Sequence, residues 1–156
     1  YVGRTFIAPG QDQREFKACS TENIQLSGGN LTKSPADYAR DLQEDFQQFF
    51  ADDVLELVLK FGSNTQYILA AAQTHHHNNL LLAEAEYCLE NEMTNNLADF
   101  VIRRTGRLYF DRPSLKVNIN KLDDFFNQQL NYSADTISKN HTLFEKEYND
   151  VVAFRN

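Results

Sequence analysis

Four stretches of this 156-residue chain carry side chains of types and spacings that could do chemistry. His75-His76-His77 offers three imidazoles in a row. A metal needs ligands that converge, and neighbouring loop residues point apart, so the run reads as a solvated histidine loop. Glu84 and Glu86 fall on the following helix and are expected to hold no fixed relation to it. His141 lies on an apolar stripe and reads as a satisfied, half-buried histidine. Ser27-Gly28-Gly29 could let backbone N–H groups approach an anion. With only two glycines and no strand–loop–helix context, it reads better as a turn between domains. Glu84, Glu86, Glu90 and Glu92 share one helix, as in a di-iron bundle. That chemistry needs Glu-x-x-His pairs facing each other, none occurs, and the four are expected to form a solvated acidic face. No metal ligands, catalytic residues or cofactor-binding residues are therefore assigned.

The fourth stretch is Asp99-Phe100-Val101-Ile102-Arg103-Arg104-Thr105-Gly106-Arg107. Two adjacent arginines on a helix leave in different directions. At least one is then expected near the core or a partner surface, where guanidinium needs carboxylate or carbonyl partners. Asp99, Arg103 and Arg104 are the candidates. They could form a buried ion-pair brace, with Glu92 as a further partner, bind an anion, or anchor a second domain.

The elements that must position these groups are helical from Ser34 onward. Residues 1–33 show no helical period and read as an extended lead-in, with short strands at Val2–Ile7 and Ile24–Leu26 punctuated by Pro9-Gly10 and Ser27-Gly28-Gly29. Ser34-Pro35-Ala36-Asp37 is a helix start: a capping hydroxyl, proline in the first turn and a carboxylate at the positive end of the dipole. Tyr38, Leu42, Phe46 and Phe49 recur at helical spacing. A second helix carries Val54, Leu55, Val58 and Leu59 and stops at Gly62. Ser63 or Asn64 caps the next, which turns Tyr67, Ile68 and Ala71 inward.

A helix over Leu80 to Met93 is expected to bury Leu82, Ala85, Leu89 and Met93. Leu97, Phe100, Val101 and Leu108 mark another. Asp111-Arg112-Pro113-Ser114 caps the run through Leu122, Phe125, Phe126 and Leu130. Ser133-Ala134-Asp135-Thr136 caps the last helix, with Ile137, His141, Phe144, Tyr148 and Val151 on one stripe. The fold class is all-α: a compact array of six or seven mostly antiparallel helices in residues 34–156, behind the lead-in of residues 1–33.

Composition bounds the function. Fifteen Lys plus Arg against 22 Asp plus Glu leave a net charge of −7, which argues against a nucleic-acid partner. No stretch approaches the ~20 apolar residues that span a bilayer. Cys19 and Cys88 are too few for a disulfide framework and read as cytosolic thiols. The sequons at Asn30, Asn131 and Asn140 are of the number an Asn-rich chain produces by chance. The only methionine is Met93 and the chain begins at Tyr1, which reads as a piece of something longer.

Several ordered motifs then align with a known family. Phe61-Gly62-Ser63-Asn64 with Ile68-Leu69, Leu82-Ala83-Glu84-Ala85-Glu86-Tyr87, Asn91-Glu92-Met93 and above all Ala98-Asp99-Phe100-Val101-Ile102-Arg103-Arg104-Thr105-Gly106 recur in this order. Together with Leu26-Ser27-Gly28-Gly29, the set over residues 22–152 resembles the C-terminal helical domain of FAD-dependent glycerol-3-phosphate dehydrogenases and α-glycerophosphate oxidases. Asn30 departs from the acidic residue that the oxidase branch carries after the glycine pair.

The resemblance implies a parent that oxidises sn-glycerol 3-phosphate to dihydroxyacetone phosphate on FAD. Its N-terminal flavin domain would be this domain's partner in the same polypeptide. A Gly-x-Gly-x-x-Gly fingerprint is missing from the glycines at 3, 10, 28, 29, 62 and 106, so the chain alone is expected neither to bind FAD nor to turn over substrate. The parent would be cytoplasmic, with peripheral membrane contact and a homo-oligomer both left open. A reading from another class is a free-standing helical module that binds a partner protein.

Overall fold

The computed structural model describes residues 18–153. Seven α-helices follow in chain order: α1 (Pro35–Asp45), α2 (Ala51–Phe61), α3 (Thr65–His75), α4 (Leu80–Asn91), α5 (Arg107–Phe110), α6 (Arg112–Gln129) and α7 (Ala134–Ala153). Single 3-10 turns lie at Thr21–Asn23 and Gly62–Asn64, and a π-helical segment spans Asp99–Arg104. Among the described residues there is no strand. The Ile24–Leu26 segment is solvent-facing and pairs with no strand among the described residues. The Val2–Ile7 strand lies outside the described residues.

Helix starts follow local chemistry. The Ser34 hydroxyl oxygen accepts from the Asp37 N–H at 3.2 Å, with Pro35 at the first helical position. Asn79 Oδ1 accepts from both Leu81 and Leu82 N–H at the start of α4. Asp111 Oδ1 accepts from Ser114 N–H at the start of α6. Ser133 does the same for Thr136 at 3.3 Å.

The interior has two apolar clusters. One joins Ala39 and Leu42 of α1, Val54, Leu57 and Val58 of α2, Ile68, Leu69 and Ala72 of α3, and Ala83 of α4. The other joins Ala85 and Cys88 of α4 to Phe100, Val101, Leu108, Leu115, Leu122, Phe125 and Phe126, with Phe144, Tyr148 and Val151 of α7 packed on it. Helix α4 is therefore a shared wall, lined on both sides. This corrects the single stripe of Leu82, Ala85, Leu89 and Met93: the buried set is Ala83, Glu84, Ala85 and Cys88. The helix ends at Asn91, and Met93, at φ 54°, is 81% exposed.

A second correction concerns residues 97–108, expected as one helix. The Thr105 N–H and hydroxyl both donate to the Phe100 carbonyl, at 2.9 and 2.8 Å. This five-residue spacing widens the turn into the π form. Gly106 at φ 64° then breaks the chain before the four-residue α5.

The two thiols sit in opposite settings. Cys19 is exposed and hydrogen-bonds the Thr21 hydroxyl at 3.1 Å, which together with the Thr21 backbone holds its pKa below the usual thiol range. Burial pushes Cys88 well above it, reinforced by the carboxylates of Glu92 and Glu84. Iodoacetamide at neutral pH should therefore alkylate Cys19 and spare Cys88 until the chain is unfolded in urea, because the thiolate is the nucleophile. Mass spectrometry reads this as one adduct on the folded chain and two on the unfolded one. Equal labelling of both in the native state would contradict the packing of α4.

Candidate functional site

Charged groups gather around one buried carboxylate where α2, α4 and α5 meet. Glu84 is 1% exposed, and its Oε2 takes a hydrogen bond from Arg107 Nη2 at 2.5 Å. The other side of the guanidinium donates from Nη1 to Asp111 Oδ2 at 2.9 Å. Lys60 Nζ lies 3.6 Å from Glu84 Oε1 and 2.6 Å from Glu56. Glu84 Oε1 and Arg107 Nε are buried without a hydrogen-bond partner among the described residues. Burial alone would lower the Arg107 pKa, but the Glu84 charge and hydrogen bond outweigh it, so it is raised. A cation fixed between an interior carboxylate and a rim carboxylate braces three helices.

Glu84, Glu86 and Glu90 on α4 and Glu92 at its C-cap thus do not form the expected solvated face. Glu84 is interior, Glu86 and Glu92 are half-buried and Glu90 alone is exposed. A signal was available in Leu82-Ala83-Glu84-Ala85: a carboxylate flanked by alanines on a helix with apolar residues on both sides.

Arg103 and Arg104 are both exposed, and the guanidinium that enters the interior is Arg107. The extra residue in the π turn shifts the register, so the two adjacent arginines face outward. Arg103 Nη1 donates to Asp99 Oδ1 at 2.5 Å. Arg104 makes no ion pair among the described residues. Beyond them α5 exposes Tyr109 and Phe110, the latter 89% accessible.

The Ser27-Gly28-Gly29 turn packs on the α2–α3 corner. The Ser63 N–H donates to the Gly28 carbonyl at 3.0 Å, and a Cβ at Gly62 would overlap that same oxygen. Asn64 Nδ2 donates to Ser27 Oγ at 2.8 Å and to Tyr87 Oη at 2.7 Å, while Ser63 Oγ bonds Asn30 Oδ1. Tyr38 Oη reaches the Ser63 carbonyl at 3.3 Å. Asn64 was expected as a helix cap, but its side chain makes no cap bond because it ties the turn to α4. The turn therefore closes onto its own domain, and its glycines are spent on backbone contact.

The histidine run is also ordered by its surroundings. His75 ends α3, and its Nδ1 lies 3.2 Å from Glu86 Oε1; His76 Nε2 lies 3.1 Å from Glu86 Oε2. His76 also packs edge-on against Phe125 at 5.7 Å. This corrects the reading of Glu86 as unrelated to the run: the α3–α4 pairing carries the carboxylate to it. Among the described residues no three His, Cys, Asp or Glu side chains are arranged to hold a metal ion. His141 is exposed rather than half-buried and meets Asp123 Oδ2 at 2.5 Å.

An all-α domain with two cores, a buried ion pair and a glycine-locked turn is the class these features define. The chain belongs to the family described as the C-terminal domain of alpha-glycerophosphate oxidase, whose model matches residues 19–137. Over 160 residues it is 28% identical to the aerobic glycerol-3-phosphate dehydrogenase of Bacillus subtilis (strain 168), covering 91% of this chain and 28% of that protein. The Staphylococcus epidermidis (strain RP62A) enzyme of the same name is 30% identical over 146 residues, covering 88% and 25%. The chain thus spans about a quarter of the length of these curated relatives. Among solved structures, the glycerol-3-phosphate dehydrogenase from Bacillus halodurans, complexed with FAD, superposes with a TM-score of 0.70 at 26% identity. That match covers 85% of this chain and 29% of the other.

No Gly-x-Gly-x-x-Gly run occurs. Gly28 and Gly62, whose backbones could have approached a pyrophosphate, are packed against each other instead. Among the described residues no helix is long and apolar enough to cross a membrane.

Proposed function

We propose that this chain is the structural C-terminal part of an FAD-dependent oxidoreductase that converts sn-glycerol 3-phosphate to dihydroxyacetone phosphate. The observation that carries the proposal is the family match over residues 19–137, in relatives named for that dehydrogenase activity. In this reading the flavin is held by a separate, N-terminal part of the parent polypeptide. Electrons leave that part to oxygen or a quinone, and the parent works in the cytoplasm.

This domain supports the flavin-bearing part by packing on it. Asp99, Arg103 and Arg104 lie at or beside the contact. Arg104, exposed and without an ion pair among the described residues, supports that placement.

The test is made in a full-length flavoenzyme carrying this domain. Arg104→Ala should lower its melting temperature or its glycerol 3-phosphate oxidation while leaving the melting of the isolated domain unchanged. Wild-type activity and melting in the full-length variant would remove Arg104 from the contact. The isolated chain, mixed with FAD and glycerol 3-phosphate, should reduce no dye; measurable turnover would overturn the division of labour itself.

A further inference from the structure

We propose that the groove between α3 and α4 is a recognition site for a basic side chain, an arginine or lysine presented on an extended segment of a partner polypeptide. A cavity of about 310 Å³ opens there, lined by Ser27, Asn64, Tyr67, Ala71, Ala83, Glu86, Tyr87, Glu90 and Asn91. Its walls combine two phenol rings with two carboxylates above alanines, Ala83 being fully buried. No lysine, arginine or histidine lines it.

The hydrogen bonds already made there bias the groove toward donors from outside. Both Asn64 N–H donors are committed, to Ser27 Oγ and Tyr87 Oη, which leaves its carbonyl oxygen to accept. Asn91 Nδ2 gives one of its two N–H groups to the Tyr87 carbonyl at 3.1 Å, and its oxygen is also left to accept. Glu90, exposed, adds a charged acceptor, while the Glu86 carboxylate is shared with His75 and His76. Tyr67, 62% exposed, offers a ring face at the mouth for a cation to stack on. A guanidinium or ammonium group brings several N–H donors, positive charge and an alkyl stem that suits an alanine floor.

The mouth continues over Ser27, Asn64 and Tyr67 into a second depression of about 320 Å³, lined also by Gln25, Asn30, Ser63 and Gln66. Amides and hydroxyls along this extension suit the peptide groups on either side of the basic residue. That continuity favours a polypeptide over a free amine. The site is separate from the flavoenzyme reading and does not depend on it.

The experiment is an NMR titration of the purified chain with N-acetyl-Gly-Gly-Arg-Gly-Gly-amide. Citrulline in place of arginine is the neutral isostere, and spermidine is the free cation. Saturable shifts confined to α3, α4 and residues 25–30 are expected, with the citrulline peptide about tenfold weaker. Glu90→Gln and Tyr67→Ala should each weaken the arginine peptide by several-fold while leaving the melting temperature in place. Equal binding of the citrulline peptide, shifts elsewhere, or insensitivity to both variants would overturn the site. Spermidine binding as tightly as the peptide would overturn the polypeptide as its ligand.

Discussion

Replacing Arg107 by methionine should cost about 3–5 kcal/mol of stability, because it strands the Glu84 carboxylate in the interior. Glu84 is 1% exposed and takes its close hydrogen bond from Arg107 at 2.5 Å. With the guanidinium gone, only Lys60 at 3.6 Å remains near Oε1, itself shared with Glu56. The same logic makes the pair expendable as a unit. Glu84→Leu combined with Arg107→Met should recover most of the loss, since both charges then leave the interior together.

Asp111→Asn is the contrasting control. It removes the rim charge beside Arg107 but keeps a side chain able to cap α6, so it should cost less than about 1 kcal/mol. Urea unfolding of the wild type, Arg107→Met, Glu84→Leu, the double variant and Asp111→Asn reads these values, with unchanged denaturant slopes as the check that the unfolded state is the same. A loss under ~1 kcal/mol for Arg107→Met, or a double variant worse than either single one, would show that the pair is not the brace described.

Gly62→Ala is the second large effect, through backbone geometry rather than charge. Gly62 sits at φ 57°, ψ −131°, a region open to little except glycine, and its Cβ would overlap the Gly28 carbonyl oxygen. Backbone strain of about 1–3 kcal/mol is expected at such a position before any overlap is counted. The overlap must be relieved by moving residues 27–30 away from the α2–α3 corner. That movement breaks the Ser63–Gly28 hydrogen bond and pulls Ser27 from Asn64.

Gly28→Ala drives a Cβ into the Phe61 carbonyl from the other side and should have the same result. Because both act by separating one contact, the double variant should cost clearly less than the sum of the singles. Hydrogen exchange at the Ser63 amide is the local readout, rising sharply in either variant while amides of α6 change little. Unchanged protection at Ser63 would mean that the turn is not held through these two glycines.

The helical content was legible because its signals are local. Ser34-Pro35 and Asp111-Arg112-Pro113 start helices where they stand, since a capping oxygen and a proline need only the next three residues. The role of Gly62 as a helix stop was legible for the same reason. The partner of Gly62 was not: Gly28 lies 34 positions earlier, and nothing in either glycine's neighbours names the other. The π segment was hidden too, because periodicity over Leu97 to Leu108 registers an average spacing. One threonine side chain redirected to the Phe100 carbonyl changes the turn without changing that average.

The site divides along the same line. Residue order and motif spacing were sufficient for the family and the all-α class, because capping chemistry, apolar period and ordered motifs are properties of contiguous residues. Which charges are interior depends on residues 23 positions apart, Glu84 and Arg107, meeting across packed helices. The Glu84 oxygens gain their meaning from being cut off from water by α2 and α5. Arg103 and Arg104 face outward because one widened turn rotates them away. Burial and register are set by how the helices pack, and packing is decided by the summed contacts of the whole chain, so no single window of the sequence could carry it.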